Sequence, residues 1–414
     1  MSARKITVLG GSGVATPELV DALVKTPGRS QPMNLVLNGR DAAKLERVSQ
    51  VCQSLAKNDA LMTISHTTDL NDALDGADFV LNQVRVGGLE ARVFDESFPH
   101  ELGLPGEETV GAGGFSNALR SIPVCLEYAH RMENLCPQAT LLTFTNPSSM
   151  VQYAINRFTK LSTIGMCDVP ITLTANIAQA LGIPPDQLLV DYLGMHHFGW
   201  VSAVWHDGIN LLPECLLKAG MINHLVEPAI IRAIGAIPCH YLAYVYHPER
   251  MLAKKIGKPT RAEELIGIQA EILTEYEHPF TGVKPAVLSK RKAIWYQVII
   301  APTLLSLIES AHNPDWPASR LVLNNINGQT IPWLPADAVV EVPVHIDHGC
   351  IHPFATSPLP IDVMNLVQAN FTYESLAVEA IVDHDRSKAL RALLRSPFIR
   401  TYDQAAGILD RVWK

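Results

Sequence analysis

The first 166 residues alternate short apolar runs with amphipathic segments. In the segment after the first run, Leu19, Val20 and Leu23 recur at the spacing of one helix face, which predicts a helix. Strands and helices that alternate in this way predict a doubly wound parallel sheet, the Rossmann-like α/β architecture. The strand-type runs are residues 5–9, 34–37, 61–65, 78–83, 139–144 and 163–166, and helices are predicted at 41–57, 69–74 and 116–131.

The second half mixes helical and strand patterns without another glycine-rich fingerprint. A strand is predicted over 188–195, a helix begins at Arg261 and ends near Tyr276, and 374–409 is predicted to be amphipathic helix. We therefore expect two domains: residues 1–166, which bind a dinucleotide, and residues 167–414, an interlocked α+β domain that binds metal and substrate.

A glycine-rich turn follows the first predicted strand. Glycines let backbone N–H groups approach an anion, and the helix N-terminus behind the turn adds positive potential, so the segment suits a pyrophosphate. The pattern departs from G-x-G-x-x-G because Ala15 stands at the third glycine, and a plain tight turn is the alternative. The candidate cofactor residues of this turn are Gly10, Gly11, Ser12 and Gly13.

The end of the second strand bears on the choice of nicotinamide cofactor. An acid at this position would hydrogen-bond the ribose hydroxyls of NAD, but this chain has Asn38 there and Arg40 two residues later. Asn38 can accept a ribose hydroxyl bond, and Arg40 either meets the 2′-phosphate of NADP or is a surface residue. NAD is the expected cofactor, and NADP stays open.

Polar side chains with ligand chemistry stand where two later strands end. Cys167 and Asp168 follow one apolar run, and His196 and His197 follow the next. Because ligands gather at the carboxyl ends of neighbouring strands, we expect these side chains to meet. A thiolate and an imidazole can hold a divalent metal ion and leave positions open for substrate oxygens.

Two other segments contain candidate chemistry. Residues 103–115 form a loop rich enough in glycine for its backbone to approach a ligand closely. His345, His348 and His352 could bind a second metal ion, but Asp347 is the one nearby carboxylate, and a polar loop is the favoured interpretation.

Composition narrows the class of protein. The chain has 414 residues, 48% of them hydrophobic and 18% charged, which suits large internal layers, and its net charge of −8 argues against a nucleic-acid partner. It contains no apolar run long enough to span a membrane, and its first residues lead straight into a strand, so no signal peptide is expected. Seven cysteines without paired spacing indicate a reducing cytoplasm.

Taken together, the motifs resemble those of glycoside hydrolase family 4, the NAD- and metal-dependent glycosidases. They follow one another in family order from residue 6 to about residue 353: G-G-S with T-P, N-Q-V-R-V-G-G-L-E-A-R, G-E-E-T-x-G-x-G-G-F, T-N-P, C-D-V-P, H-F-G-W, I-P-x-x-Y-L, T-R-A-E-E and V-E-V-P. The resemblance implies a lactate/malate-dehydrogenase-like fold, NAD, Mn²⁺ or another divalent metal, and a homodimer or homotetramer.

The resemblance also implies roles for particular residues. Cys167 and His197 match the family's metal ligands, and Tyr241 matches its catalytic base. Asp168 matches an acid of the 6-phospho-α-glucosidase branch, whereas β-specific relatives more often have asparagine there. Asn146 and Arg92 match positions that contact the sugar, and Arg261, at the start of its predicted helix, is a candidate to reach the sugar's 6-substituent. His196 departs from the family, which usually has asparagine there, so this residue either packs, binds substrate or replaces a sugar contact.

The implied reaction is hydrolysis by oxidation, elimination, addition and reduction. Hydride leaves C3 of the sugar, Tyr241 removes the C2 proton, the C1–O bond breaks with a proton from Asp168, water adds, and the hydride returns. The expected substrate is a 6-phospho-α-glucoside. The alternatives are the same mechanism on a 6-phospho-β-glucoside or another acidic glycoside (uronic or sulfonated), and a 2-hydroxy-acid dehydrogenase.

Overall fold

The structure, a computed structural model, describes residues 3–278, 282–317 and 319–414. One mixed sheet, to which both halves of the chain contribute, forms its centre. Its strands are Arg4–Leu9 (β1), Met33–Asn38 (β2), Met62–Thr67 (β3), Phe79–Asn82 (β4), Thr140–Thr143 (β5), Ser162–Met166 (β6), Leu189–Met195 (β7), Phe198–His206 (β8), Ile209–Asn210 (β9), Ile237–Pro238 (β10), Ser319–Ile326 (β11), Val339–Asp347 (β12) and Cys350–Pro353 (β13).

Helices cover the sheet. They are Thr16–Lys25 (α1), Ala42–Ala56 (α2), Leu70–Leu74 (α3), Gly88–Ser97 (α4), Gly111–Leu135 (α5), Ser148–Phe158 (α6), Val169–Leu181 (α7), Leu212–Leu217 (α8), Ala219–Ile222 (α9), Pro228–Ile234 (α10), Ala243–Tyr246 (α11), Pro248–Lys255 (α12), Arg261–Glu275 (α13), Ala301–Ser310 (α14), Ile361–Asp383 (α15), Arg386–Leu393 (α16) and Tyr402–Val412 (α17). Short 3₁₀ turns span Phe98–Leu102, Pro185–Gln187, His240–Leu242 and Ala286–Arg291, and Tyr296–Ile300 is a π-helical turn.

The first six strands form a parallel sheet in the order β3-β2-β1-β4-β5-β6. This is the Rossmann strand order, in which the order of successive strands reverses beside β1 and opens a crevice at the carboxyl ends of the strands. The fold predicted from the alternating pattern is therefore confirmed for this half.

The sheet continues from the first half into the second. Leu323 and Asn324 of β11 pair antiparallel with Met166 and Gly165 of β6, and the order then runs through β12, β7 and β8 to β10. The expectation that β6 and β7 are neighbours is wrong, because β11 and β12 return from later in the sequence and insert between them. Sequence order gives no signal of that insertion.

A row of residues in register crosses this junction. Gly165 pairs with Asn324, Asn324 with Glu341, and Glu341 with Gly194. We call these four residues the central row. It joins the end of β6, which precedes Cys167, to the end of β7, which precedes the two histidines.

Two predicted helix boundaries are wrong. Helix α5 begins at Gly111 rather than Ser116, so the second part of the expected glycine-rich loop is the first turn of a helix. The region predicted as one helix over 374–409 is three helices, α15, α16 and α17. The helices separate because the Asp385 side chain accepts the backbone N–H of Lys388 and starts α16, while Thr401 caps α17 in the same way.

The two halves interlock through hydrogen bonds as well as through the sheet. The Glu309 carboxylate on α14 accepts the backbone N–H groups of Ser30 (3.0 Å) and Gln31 (3.1 Å), and the Tyr276 hydroxyl donates to the Val14 carbonyl (2.7 Å). A domain boundary after residue 166 remains a proposal, supported by the end of β6 at that point. In the parts of the chain that the structure describes, no helix is both long and apolar enough to cross a membrane.

Gly194 should be needed for the turn that carries the histidines. Its φ is +150°, and a Cβ atom there would lie 2.3 Å from the Phe198 carbonyl oxygen, which is rigid backbone. Gly194→Ala should lower the free energy of unfolding by about 3 kcal/mol or more, because backbone must shift. Gly208→Ala is the matched control: its φ is +77° with nothing within 4 Å of the added Cβ, so about 1 kcal/mol is expected. Equal urea midpoints for the two variants would contradict this account.

Candidate active site

A cleft of about 740 Å³ opens at the carboxyl ends of the parallel strands. We call it the central cleft. It is bounded by the glycine turn on one side, the ends of β4, β5 and β6 in the middle, and the β7–β8 turn with α13 on the other. Its lining includes every candidate residue named for the cofactor, the first metal ion, the sugar and the catalytic steps except Gly11, which lies behind the turn.

The glycine turn has the geometry of an anion cradle. Gly10 has φ +79°, and a Cβ atom on Gly11 would lie 2.9 Å from Leu37 Cα, so the turn packs against β2 where a side chain would not fit. Gln83 Nε2 donates to the Gly10 carbonyl (3.1 Å) and to Thr16 Oγ1 (2.9 Å), which fixes the turn at the N-terminus of α1. The segment therefore fits a dinucleotide pyrophosphate. Ser12 and Gly13 line the cleft beside it.

Asn38 and Arg40 lie at the same end of the cleft. The Asn38 amide nitrogen donates to the carbonyls of Thr67 (3.0 Å) and Asp69 (3.3 Å), so its Oδ1 is the atom available to accept from a ligand. Arg40 is exposed at the rim with Lys44. The arrangement provides both a hydrogen-bond acceptor and cations near the expected ribose.

The sequence prediction that Cys167 and the two histidines meet agrees with the geometry. The ligand atoms of Cys167, His196 and His197 all lie within 4.8 Å of one another, and all three residues are buried. A thiol and two imidazoles at this separation are a donor set for a divalent transition metal. The buried Nδ1 atoms of both histidines have no hydrogen-bond partner among the residues that the structure describes, so a cation there would satisfy polar atoms that are otherwise orphaned.

Local backbone geometry places these three side chains. Cys167 directly follows β6, and its Sγ accepts the backbone N–H of Val169 (3.4 Å) at the start of α7. His196 and His197 form the two-residue connection between β7 and β8, with His197 in the left-handed region at φ 58°. Strain of this kind in a residue other than glycine costs about 1–3 kcal/mol and clusters at ligand sites.

Burial sets the protonation states of the cluster. It raises the pKa of the Cys167 thiol well above the usual value, and the charges of Glu341 and Asp168 add to the rise. Burial lowers the pKa of His197 well below its usual value, with His196 and His240 adding to the effect, so its imidazole is neutral. Neutral imidazole is the form that binds metal, whereas the thiol must lose its proton on binding.

Tyr241 lies against the cluster. Its ring stacks on His197 with centroids 3.8 Å apart and planes 9° apart, and it lines the cleft at the 3₁₀ turn before α11. Burial raises the pKa of its hydroxyl well above 10, and the negative charge of Glu107 adds to this. The same segment contains Tyr241, Tyr244 and Tyr246. Of these, Tyr241 is the one that lines the cleft, and Tyr244 packs behind it with the two ring centroids 6.2 Å apart.

Asp168, Asn146 and His196 form the floor of the cleft. Asp168 is half-buried, and burial raises the pKa of its carboxyl group. His196 Nε2 lies 3.0 Å from Asn146 Oδ1, a hydrogen bond that ties the histidine turn to the residue following β5. The side chains proposed for the metal, the base, the acid and the sugar contact are thus close together.

Arg92 and Arg261 line the cleft but are already paired. Arg92 is half-buried between Glu96 (2.7 Å) and Glu108 (2.8 Å), and those two charges hold its guanidinium in place. Arg261 is half-buried at the start of α13, where it pairs with Glu264 (2.7 Å) and donates to the Arg291 carbonyl (3.0 Å). Each remains able to offer further N–H donors to a ligand.

Sequence reasoning missed the buried acids of the cleft. Glu107 and Glu108 come directly before α5 and are both buried. Burial raises the pKa of Glu107 to about 7, whereas Arg85 and Arg92 lower the pKa of Glu108 despite its burial. The available signal was the pair of adjacent glutamates inside a glycine-rich loop, which argues for buried, functional carboxylates.

The second histidine cluster is a hairpin rather than the expected polar loop, because His345 on β12 pairs in register with His352 on β13. His348 pairs with Asp347 at 2.9 Å in the turn between β12 and β13. Within the described residues, the group formed by Cys167, His196 and His197 is the one set of three or more such side chains close enough to share a metal ion.

Comparisons with known proteins agree with this geometry. A model described as "Family 4 glycosyl hydrolase" matches residues 5–183, and one described as "Family 4 glycosyl hydrolase C-terminal domain" matches residues 192–399. The chain is 32% identical to a probable 6-phospho-beta-glucosidase of Bacillus subtilis, over 99% of this chain and 95% of that protein. It is 26% identical to a 6-phospho-alpha-glucosidase of Leptotrichia buccalis, over 99% of this chain and 97% of that protein.

Solved structures show the same fold. A 6-phospho-beta glucosidase from Thermotoga maritima, determined with manganese, NAD⁺ and glucose-6-phosphate, is 26% identical and superimposes with a TM-score of 0.88 over 99% of this chain and 97% of that chain. Lactate dehydrogenase from Eimeria maxima, at 14% identity, has a TM-score of 0.54 over 97% of this chain and 98% of that chain, which confirms the expected fold and nothing further.

Glu107 should make stability fall as the pH rises through the neutral range. The folded-state pKa of about 7 exceeds the unfolded value of 4.5, so between these values the native state holds a proton that the unfolded chain has lost. The contribution is complete below pH 4.5 and is lost as the pH rises through 7. Glu107→Gln should reduce this loss by about 1–3 kcal/mol in urea titrations at several pH values.

Glu374 limits how much of the pH dependence of stability Glu107→Gln can remove. Burial raises its pKa to about 7 as well, so the slope should decrease in Glu107→Gln without vanishing. Glu46→Gln, at an exposed position on α2, should leave the slope unchanged. An equal dependence of stability on pH in the wild type, Glu107→Gln and Glu46→Gln would show that Glu107 is ionised over the whole pH range measured.

Proposed function

Because the chain belongs to the family 4 glycosyl hydrolases, we propose that it hydrolyses a 6-phosphorylated glucoside with NAD⁺ and a divalent metal ion as cofactors. The observation that carries this proposal is the central cleft itself. It brings a glycine cradle, the Cys167 and His197 pair and the Tyr241 hydroxyl together in one space of about 740 Å³. The relative from Thermotoga maritima, with manganese, NAD⁺ and glucose-6-phosphate, supports the same cofactors and substrate class.

The proposed cofactors divide between the two sides of the cleft. Gly10, Gly11, Ser12 and Gly13 would hold the pyrophosphate, Asn38 and Arg40 the ribose end, and Cys167 and His197 the metal, for which Mn²⁺ is the reference ion. When bound, the nicotinamide accepts hydride from sugar C3 and later returns it, while the metal cation stabilises negative charge at the C3 oxygen and beside Tyr241.

Tyr241 is proposed as the base that removes the C2 proton. Its ring lies flat against His197, so its hydroxyl belongs to the same group of side chains as the metal ligands. Once C3 is a ketone, the C2–H bond is acidic, and the electron pair left by the proton forms the C1–C2 double bond as the C1–O bond breaks. Water then adds its hydroxyl at C1 and a proton at C2, and the overall reaction is hydrolysis.

Asp168 is proposed as the acid that protonates the leaving oxygen. It directly follows Cys167 and lines the cleft beside the proposed metal ligands. An acid at this position resembles the 6-phospho-α-glucosidase branch of the family, and for this reason we propose a 6-phospho-α-glucoside as the substrate. The similarity to the probable 6-phospho-beta-glucosidase of Bacillus subtilis supports the β-linked phosphoglucoside as the second candidate.

The charged lining suits an anionic sugar. Arg261, Lys292 and Arg291, which pairs with Glu18 at 3.2 Å, line the cleft. These cations would bind the 6-phosphate, or the acidic group of a uronic or sulfonated glycoside. Arg92 and Asn146, which also line the cleft, would hold sugar hydroxyls.

Two features of the structure support the proposed cellular location and the proposed oligomer. All seven cysteines are free thiols in the structure, which supports a reducing cytoplasm. Ile209, Leu217 and Met221, on the consecutive elements β9, α8 and α9, are 64%, 79% and 66% exposed. Apolar side chains this exposed support a homodimer or homotetramer that covers them.

A panel of 4-nitrophenyl glycosides tests the substrate. We expect release of nitrophenol from the α-glucoside 6-phosphate when NAD⁺ and Mn²⁺ are both present, and none from the unphosphorylated glucoside, because the cations of the cleft would then face a neutral group. Turnover of the β-linked phosphate alone would select the second candidate. Net reduction of NAD⁺ by a 2-hydroxy acid, with no glycoside hydrolysed, would overturn the proposal.

Tyr241→Phe tests the mechanism. The variant loses one hydroxyl, so turnover should fall about 100- to 10,000-fold, the usual contribution of a general base. Substrate deuterated at C2 should exchange with solvent on the wild-type enzyme and not on the variant, as followed by NMR. Tyr244→Phe is the matched control, because it removes the same group from the tyrosine behind and should retain both activities. Hydrolysis without C2 exchange would exclude elimination.

A further inference from the structure

His196, like His197, places a ring nitrogen within 4.8 Å of the Cys167 sulfur. The three ligand atoms form one buried group, and the two imidazole rings stack with centroids 4.0 Å apart and planes 18° apart. A metal ion with ligand bonds of about 2.0–2.3 Å holds its ligands roughly 3–4 Å apart. Small side-chain rotations would therefore bring all three atoms onto one ion.

The hydrogen bond from His196 to Asn146 leaves the other ring nitrogen free. His196 Nε2 lies 3.0 Å from Asn146 Oδ1, and an amide oxygen only accepts, so Nε2 carries the proton. In the neutral ring Nδ1 then has a lone pair, and this buried atom has no hydrogen-bond partner within the described parts of the chain. A buried polar atom in that state costs about 1–3 kcal/mol. Coordination of a cation would remove this cost.

A buried carboxylate beside this nitrogen also lacks a cation. Glu341, in the central row, is fully buried, and its Oε1 lies 3.8 Å from His196 Nδ1, too far for a hydrogen bond. Its Oε1 accepts a long hydrogen bond from Asn324 Nδ2 at 3.4 Å, and its Oε2 has no hydrogen-bond partner at bonding distance among the described residues. Buried charged groups are usually paired or coordinate a metal ion. A metal ion held by the neighbouring histidines would supply that charge.

We propose that His196, through Nδ1, is a third protein ligand of the metal ion, so that the site is Cys167, His196 and His197. The inference rests on the proposed function for the metal itself and adds the third ligand. One thiolate and two imidazoles favour Zn²⁺ and Co²⁺ over Mn²⁺, because both the softness of the donors and the affinity order of divalent metals point that way. His196 would thus decide which metal this chain prefers.

Measuring the metal affinity of the full-length protein tests the proposed third ligand and does not depend on enzymatic turnover. His196→Gln keeps a side-chain N–H able to reach Asn146 and removes Nδ1, so it isolates the proposed ligand atom. We expect Zn²⁺ and Co²⁺ affinities, measured by calorimetry and chelator competition, to fall by about 10- to 100-fold or more. The Co²⁺ form should keep its near-ultraviolet thiolate band while its visible bands weaken. His345→Gln, on β12 away from the cluster, should match the wild type.

A second variant guards against misfolding. His196→Asn exchanges the nitrogen ligand for an amide whose oxygen is a harder donor, so preference should move from Zn²⁺ toward Mn²⁺. Wild-type affinities and Co²⁺ spectra in both variants, with a raised KM for substrate, would overturn the inference and make His196 a sugar contact. Cys167→Ser separates the two proposals: a Co²⁺ spectrum unaffected by this change would remove the metal site and the proposed function with it.

Discussion

Pairing across the central row is the constraint on which the rest of the site depends. Gly165, Asn324, Glu341 and Gly194 lie in register on β6, β11, β12 and β7, and together they fix the separation between Cys167 and the histidine turn. Neighbouring strands are about 4.8 Å apart, so β6 and β7, which have β11 and β12 between them, are about 14 Å apart in the central row, and the strand ends alone would leave the ligands too distant. The end of β7 bends through a bulge at Asp191 and through Gly194, and the turn thereby reaches the cluster.

Buried charge is the second property that the fold maintains. The charged side chains of the cleft hold one another in place through ion pairs. Arg92, for example, lies between Glu96 and Glu108. Such pairs seldom add stability beyond the cost of removing them from water. Their value is preorganisation: a sugar that enters the cleft meets donors and acceptors already oriented. Glu107, which burial favours in its neutral form, avoids placing one more negative charge in that group.

The cofactor and substrate sides of the cleft are mechanically connected. Gln83, which holds the glycine turn, accepts a hydrogen bond from the Tyr296 hydroxyl at 2.7 Å, and Tyr276 donates to the Val14 carbonyl beside the same turn. Both tyrosines come from the second half of the chain. Residues from the second half of the chain therefore support the glycine turn that is proposed to hold the dinucleotide. A family with a dehydrogenase-like fold can in this way bind the sugar and the nicotinamide in one space.

Local patterns in the sequence determined the parallel half of the sheet and the glycine turn, and they singled out Cys167 and His197 as candidates, because hydrophobic period, glycine spacing and residue type are properties of short segments. The tertiary structure alone decided that β11 and β12 lie between β6 and β7, that Glu107 and Glu341 are buried, and that the ring of His196 stacks on His197 close to Cys167. Strand order, burial of an acid and the tautomer of a histidine depend on contacts between residues far apart in the chain. No local pattern encodes those contacts.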